Sequence, residues 1–523
     1  MSCPVRVYYL CSAVLLAALA PCAAQEQRTL GYLPPGTPEV GGINHMVLIY
    51  HGRQSRVPKT KEAIMPYVAY VDEQGTPQDW FFDSFLFIEF ATDKGTYIHS
   101  HPKDSPLPTI DDWVWLADGW FRPTTGLIGL EQAVAEVAGK LGPADRKAKV
   151  VIGMPVPSTD DTAFGPLPGE QDKLDFSATD DRLQALQWYI QRVLEQWRER
   201  DYQHLELVGF YWTREETPPA DYELISCTSD YLHAMGYKLF QIPYSGDLSV
   251  WREIGFDGIM RHPWYYTLKE DPPLANLLAR AKVARMYNTG IELELDGRVL
   301  ADEKFRERFI AAMDAGAHYG WMQGALMSYY EGGGAVKQLA ATPGVGRDLY
   351  RKLYEYVKGT YVPSGRYDFS DLPLTSGDNT GNLALATAGA KIHGTRTSPD
   401  WGSRIGPQFI IDGNADVYSG MEGFGAFYWP GSFIVELPTT QTVTRTQVML
   451  FDLDGRFFRY QVHTSVDGEN WEPAVTKDTG EWRSWQVDSF APRQARYVRF
   501  TGLFNSANSL FQVVEFEVYR DVK

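Results

Sequence analysis

The chain has 523 residues, a formal net charge of −17 and only four cysteines. That length supports several domains and a large apolar core, while the acidic balance argues against nucleic acid or a polyanionic membrane as partners. The 15 Trp, 30 Tyr and 26 Phe supply many core rings and suit a ligand with apolar ring faces, which points toward carbohydrate.

The N-terminus reads as an export signal over residues 1–24. Arg6 forms the basic n-region, Val14 to Ala20 the apolar run, and Cys22-Ala23-Ala24 a small-residue cleavage site before Gln25, which predicts a secreted or periplasmic protein. A lipoprotein reading around Cys22 conflicts with Pro21. The apolar run is too short to span a bilayer, and no later segment is long enough to serve as a transmembrane helix. Three cysteines (Cys3, Cys11, Cys22) lie within this signal, so Cys227 alone remains and no internal disulfide can form. Beside Ile225 in a helical pattern, Cys227 reads as a small buried hydrophobe.

Within a domain expected over residues 25–360, the stretch from about residue 43 to 335 alternates short apolar runs with amphipathic stretches. The strand-like runs are Met46 to Tyr50, Ser84 to Phe90, Lys149 to Pro155, Leu205 to Trp212, Lys238 to Pro243, Gly258 to Arg261, Gly290 to Leu295 and Gly324 to Tyr329. Helical patterns include Leu127 to Leu141, Asp181 to Arg200, Ser226 to Met235, Asp302 to Tyr319 and Val345 to Lys358. Eight such units predict an α/β fold of the (β/α)8 barrel type. No Gly-x-Gly-x-x-Gly follows a strand, which argues against a dinucleotide-binding sheet. Residues 361–380 are rich in Pro, Gly, Ser and Asp and predict a linker. From 381 to 523, short strands at Phe433 to Leu437, Thr442 to Phe451, Tyr460 to Ser465, Ser484 to Val487, Tyr497 to Thr501 and Phe511 to Val518 predict an antiparallel β-sandwich.

This C-terminal part carries six motifs in order. They are Asn382-Leu383-Ala384, Ile411-Asp412-Gly413-Asn414, Val435-Glu436-Leu437-Pro438, Tyr460 through Trp471, Ala495 through Phe500, and Val514 through Tyr519. Together they resemble the coagulation-factor type C (discoidin) family, which includes galactose-binding-like carbohydrate-binding modules. The resemblance implies a jelly-roll sandwich whose loops bind a glycan or another surface. It also implies a structural Ca2+ held by Asp412, Asp416 and Glu515, although Val417 departs from the usual Thr or Ser there. Trp471 reads as a core anchor, and Trp482, Arg483, Trp485 and Asn505 as surface contact candidates.

Barrel enzymes place their chemistry at the C-terminal ends of the strands. Those ends supply acids ringed by aromatics, as sugar cleavage requires. In Gly290-Ile291-Glu292-Leu293-Glu294-Leu295-Asp296, alternation puts the three acids on one face, yet a central parallel strand is normally apolar on both faces. Glu294 is the predicted nucleophile, with Glu292 as orienter or substitute. Glu215 is the predicted general acid/base, and Glu216 its rival, because a one-residue shift exchanges inward and outward side chains. Predicted substrate contacts are His51, Tyr211, Trp212, Tyr244, His262, Trp264, Tyr330 and Glu331. His99 and His101 lack a convincingly spaced third metal ligand, no catalytic cofactor is expected, and no Gly-x-Ser-x-Gly elbow is present.

Gly209-Phe210-Tyr211-Trp212-x-x-Glu215 and Gly290-x-Glu292-x-Glu294 further resemble a secreted bacterial family of unknown function, which pairs glycosidase-like barrels with sugar-binding modules. The combined expectation is an exported retaining glycoside hydrolase acting on a poly- or oligosaccharide. The alternative is a non-catalytic glycan-binding or adhesion protein. A polysaccharide lyase fits less well, because an acidic cleft repels uronates.

Overall fold

The computed structural model describes residues 31–99, 105–144, 147–246, 248, 250–262, 266, 274–369, 381–394, 405–415, 423–451, 456–483 and 485–520. The expected signal, His101, Trp264 and Asp416 lie outside them.

Eight parallel strands close into a barrel. They are β1 (His45–Tyr50), β2 (Ser84–Ile88), β3 (Ala148–Met154), β4 (Leu205–Trp212), β5 (Lys238–Gln241), β6 (Gly258–Arg261), β7 (Gly290–Glu294) and β8 (Met327–Tyr330). Closure comes from β8 pairing with β1, His45 opposite Met327. All six residues of β1 and all five of β2 and β7 are buried, as strands covered on both faces must be. Helices such as Leu127–Leu141, Thr179–Arg200 and Glu303–Tyr319 form the outer layer. The helix Ile110–Gly119 begins at a capping box, where Thr109 and Asp112 exchange side-chain and backbone hydrogen bonds.

β8 begins later than the expected Gly324, because Trp321–Gly324 forms a helical turn whose last amides still bond backward. The segment predicted as a linker starts as part of the barrel. Tyr361 Oη donates to Asp314 Oδ1 at 2.6 Å, Tyr367 Oη donates to Glu307 Oε2, and Phe369 stacks on His318 at 5.2 Å. Polar composition concealed these aromatic anchors.

The C-terminal part is an antiparallel β-sandwich fold with seven strands among the described residues. These are β9 (Lys391–His393), β10 (Gly425–Tyr428), β11 (Gly431–Leu450), β12 (Phe458–Ser465), β13 (Glu472–Trp482), β14 (Trp485–Asn505) and β15 (Leu510–Tyr519). Two expected strands fuse into β11, whose pairing with β14 shifts register between Glu436 and Gln441, around Pro438. β14 likewise spans two expected strands.

The sandwich packs on the barrel helix Leu274–Tyr287. Lys282, 4% exposed, pairs with the fully buried Glu517, and its ammonium lies 4.1 Å from the Trp485 ring centroid. Met449, Trp485 and Val514 of the sandwich join the barrel's apolar core. Trp485, expected at a glycan-facing surface, is therefore an inter-domain contact.

Candidate active site

The row of acids on β7 faces the barrel interior. Ile291 and Leu293 alternate outward into the helical layer, both almost fully buried, while Glu292 stands opposite Ser328 and Glu294 opposite Tyr330 in the register with β8. Gly290 starts the strand where a Cβ would lie 2.3 Å from the Leu326 carbonyl, so only glycine permits this approach. Strand geometry ends at Glu294. Asp296 turns away from the other two acids and forms an ion pair with Arg298 at 2.6 Å.

β6 delivers His262 to the same point. Its Nε2 is 3.1 Å from Glu294 Oε1 and 3.8 Å from Glu292 Oε2. The preceding Arg261 points elsewhere and donates to the carbonyls of Pro243 and Tyr244 at 3.0 and 3.2 Å, fixing the end of β5 beside β6. Glu215, three residues past β4, is held through its backbone: its carbonyl accepts from the Tyr244 amide at 2.8 Å. Gln241 Nε2 donates to the Arg214 carbonyl at 2.8 Å, and a parallel bridge pairs Glu216–Thr217 with Ser245–Gly246.

Burial controls the protonation of this cluster. Glu215 is half-buried, and desolvation followed by the Glu216 charge pushes its carboxyl up to about 7. Glu292 is raised well above the carboxylate range by burial, then by the charges of Glu294 and Glu215. Burial raises Glu294 to about 8, although the Tyr266 backbone N–H and the Arg280 charge work in the opposite direction. Burial, then Arg280 and Arg261, lower His262 to about 3, so the ring is neutral. With its proton on Nε2, it donates to Glu294. Of the two β7 acids, Glu294 therefore has support for its anion, whereas every influence on Glu292 favours the neutral acid. One ligand atom each from His262, Glu292 and Glu294 lies within 4.8 Å of the others, a spacing that could also hold a metal ion.

Tyrosines surround the acids. Tyr50 and Tyr211 both feel the charges of Glu215 and Glu292. Tyr330 meets Tyr50 edge-on at 6.0 Å, and Tyr244 meets His262 at 6.3 Å. Thus Glu215, Glu292, Glu294, His262, Tyr211, Tyr244 and Tyr330 share one region. Glu216 is exposed and faces Arg214 at 3.8 Å.

Three other expected contacts sit apart. His51 is buried with Nε2 3.1 Å from the Gly119 carbonyl and its ring edge-on to Phe87, bracing helix against strand. Trp212 is fully buried. Glu331 is enclosed with Tyr67, whose hydroxyl donates to it at 2.8 Å. Arg280 and Tyr50 were missing from the predicted set. A buried arginine on a helix gives no sequence signal of which strand it faces, whereas Tyr50, as the last residue of β1, occupied a position where one was available.

In the sandwich, Asp412 and Glu515 approach each other. Burial raises Asp412 to about 6, while burial and the Asp412 charge push Glu515 well up. Glu515 Oε2 accepts from the Gly413 amide at 3.1 Å, and Oε1 is buried without a hydrogen-bond partner among the described residues. Asp412 and Glu515, two of the three expected calcium ligands, thus stand together, while Asp416 lies outside the described residues. Trp471, expected in the core, is half-buried beneath the Arg499 guanidinium at 4.3 Å.

Residues 45–355 match the family model described as "Domain of unknown function (DUF4855)", and residues 393–516 match "F5/8 type C domain". BTB/POZ domain-containing protein 9 of Drosophila melanogaster is 30% identical over 118 residues, 22% of this chain and 16% of the relative. The human protein of that name is 29% identical over 87 residues, covering 17% and 14%. The chain thus spans less than a fifth of these relatives' length. Similar solved structures include the Clostridium perfringens module CpGH89CBM32-5 in complex with GalNAc-beta-1,3-galactose, at 18% identity, TM-score 0.23, covering 27% of this chain and 99% of that one. Another is chitosan-binding module 1 from the chitosanase/glucanase of Paenibacillus sp. IK-5, at 24% identity, TM-score 0.22, covering 27% and 98%.

Proposed function

This chain belongs to the DUF4855 family, and we propose that it is an exported retaining glycoside hydrolase with a glycan-binding F5/8 type C domain. The observation that carries this reading is the convergence of Glu215, Glu292 and Glu294 at the C-terminal mouth of the barrel, where burial raises all three carboxyls and His262 stands 3.1 Å from Glu294. Glu294 attacks the anomeric carbon as its bond to the leaving oxygen breaks, and Glu215 delivers a proton to that oxygen. Glu215 then takes a proton from water, which attacks the same carbon and releases Glu294. His262 supports the Glu294 anion, and Glu292, kept protonated, donates a hydrogen bond to the sugar or to Glu294. The half-buried Tyr244 and Tyr330 provide ring faces and hydroxyls for the sugar, while the buried Tyr50 and Tyr211 stand behind the acids.

The lower carboxyl value of Glu215 favours a second assignment, with Glu215 as the anion and Glu294 as the proton donor. Incubating the protein with a broad glycan panel tests the activity itself. Cleavage by wild type, lost in Glu294→Gln with glycan binding by the sandwich retained, supports the hydrolase. Binding without cleavage by wild type across the panel favours the adhesion reading. For the sandwich, we propose that Asp412 and Glu515 hold a structural Ca2+, which would supply the positive charge their buried oxygens need.

A further inference from the structure

The opposite end of the barrel holds a second site. A cavity of about 540 Å³, within the size range of small-molecule pockets, opens at the N-terminal ends of β1, β2 and β3. Its walls include Trp80, Phe82 and Phe85, and its rim carries Lys147, Lys149 and Lys358 against one lining acid, Asp83. In a chain of net charge −17, this is a local reversal of sign.

Asp83 does little to neutralise these cations. Its Oδ2 accepts from the Asn44 amide at 3.1 Å and Asn44 Nδ2 at 2.7 Å, and its Oδ1 accepts from the His45 amide and Ser84 Oγ, both at 2.9 Å. Lys147 is directed to the Tyr202 carbonyl and Lys358 to Asp79. Lys149 is different: 4% exposed, among the described residues it has only the occupied Asp83 carboxylate as an ion-pair partner, at 3.9 Å. A buried ammonium at that distance lacks the close anion that would offset its desolvation. We propose that this cavity binds a carboxylate borne on a six-membered ring, with the carboxylate on Lys149 and the ring against Trp80. Trp80 is the half-exposed aromatic of the wall, suited to an aryl ring or the apolar face of a sugar acid.

Calorimetric titration of the full chain with benzoate, glucuronate and inorganic phosphate tests the assignment and separates its sources. Saturable binding of at least one ring carboxylate is expected, and the one that binds identifies the source. That binding should weaken about tenfold or more in Lys149→Met, weaken in Trp80→Ala, and persist in Glu294→Gln. Should Lys149→Met fail to fold, Lys358→Met, which removes a rim charge, must weaken binding instead. No saturable binding of either carboxylate would overturn the site, as would binding unaffected by the lysine substitutions. Phosphate binding as tightly as the carboxylates, or indifference to Trp80→Ala, would overturn the ring-carboxylate class.

Discussion

Replacing Glu215 with Gln removes an ionisable group whose protonated form the fold favours. Burial and the Glu216 charge raise its carboxyl from 4.5 to about 7. A carboxyl raised in the folded state holds its proton more tightly there than in the unfolded chain. The associated stabilisation is therefore complete below pH 4.5 and is lost as pH rises through about 7. At about 1.36 kcal/mol per pH unit this amounts to about 3 kcal/mol, which solvent contact at a half-buried side chain reduces to roughly 2 kcal/mol. For a domain of this size, that corresponds to about 3–4 °C in melting temperature. The Gln variant keeps the shape and cannot ionise, and losing the Glu215 charge also eases ionisation of Glu292 and Glu294. Calorimetric melting of both proteins across pH 4.5 to 8 should show the variant gaining progressively on wild type, by about 3–4 °C at the alkaline end. A difference that stays constant with pH, or wild type gaining as pH rises, would refute the claim that Glu215 is poised as a proton donor.

Three other outcomes are expected. Lys282→Met leaves the fully buried Glu517 without its cation and should destabilise the chain by about 3–5 kcal/mol in chemical denaturation; adding Glu517→Gln should recover much of that loss. Millimolar Ca2+ should raise the sandwich melting temperature in wild type but not in Glu515→Ala, and an identical response in both would remove Asp412 and Glu515 as ligands. His262→Ala withdraws the contact to Glu294 Oε1 and should lower kcat more than it raises KM, as measured by steady-state glycan cleavage.

The barrel was legible because fully buried parallel strands leave uninterrupted apolar runs, and the exception on β7 marked the site. A buried strand with Glu at two alternate positions has few structural explanations. Alternation could not distinguish Glu292 from Glu294, since both face the same way. That distinction depends on His262, Arg280 and the Tyr266 amide, brought from separate segments of the chain. Trp212 and Glu331 show the converse failure: Trp212 ends β4 and Glu331 follows the end of β8, but pleating or the following turn directs each away from the cluster. In the sandwich, β13 escaped notice because its residues are mostly polar and none is buried, and the burial of Trp485 depends on a barrel helix some 200 positions earlier in the chain.

The central claim is that Glu294 attacks the sugar while Glu215 serves as acid and base. Trapping the protein with a 2-deoxy-2-fluoro glycoside of the cleaved sugar, followed by peptide mass mapping, tests it most directly. The account predicts a covalent glycosyl ester on Glu294. An ester on Glu215 or Glu292, or cleavage with inversion and no covalent species, would contradict it.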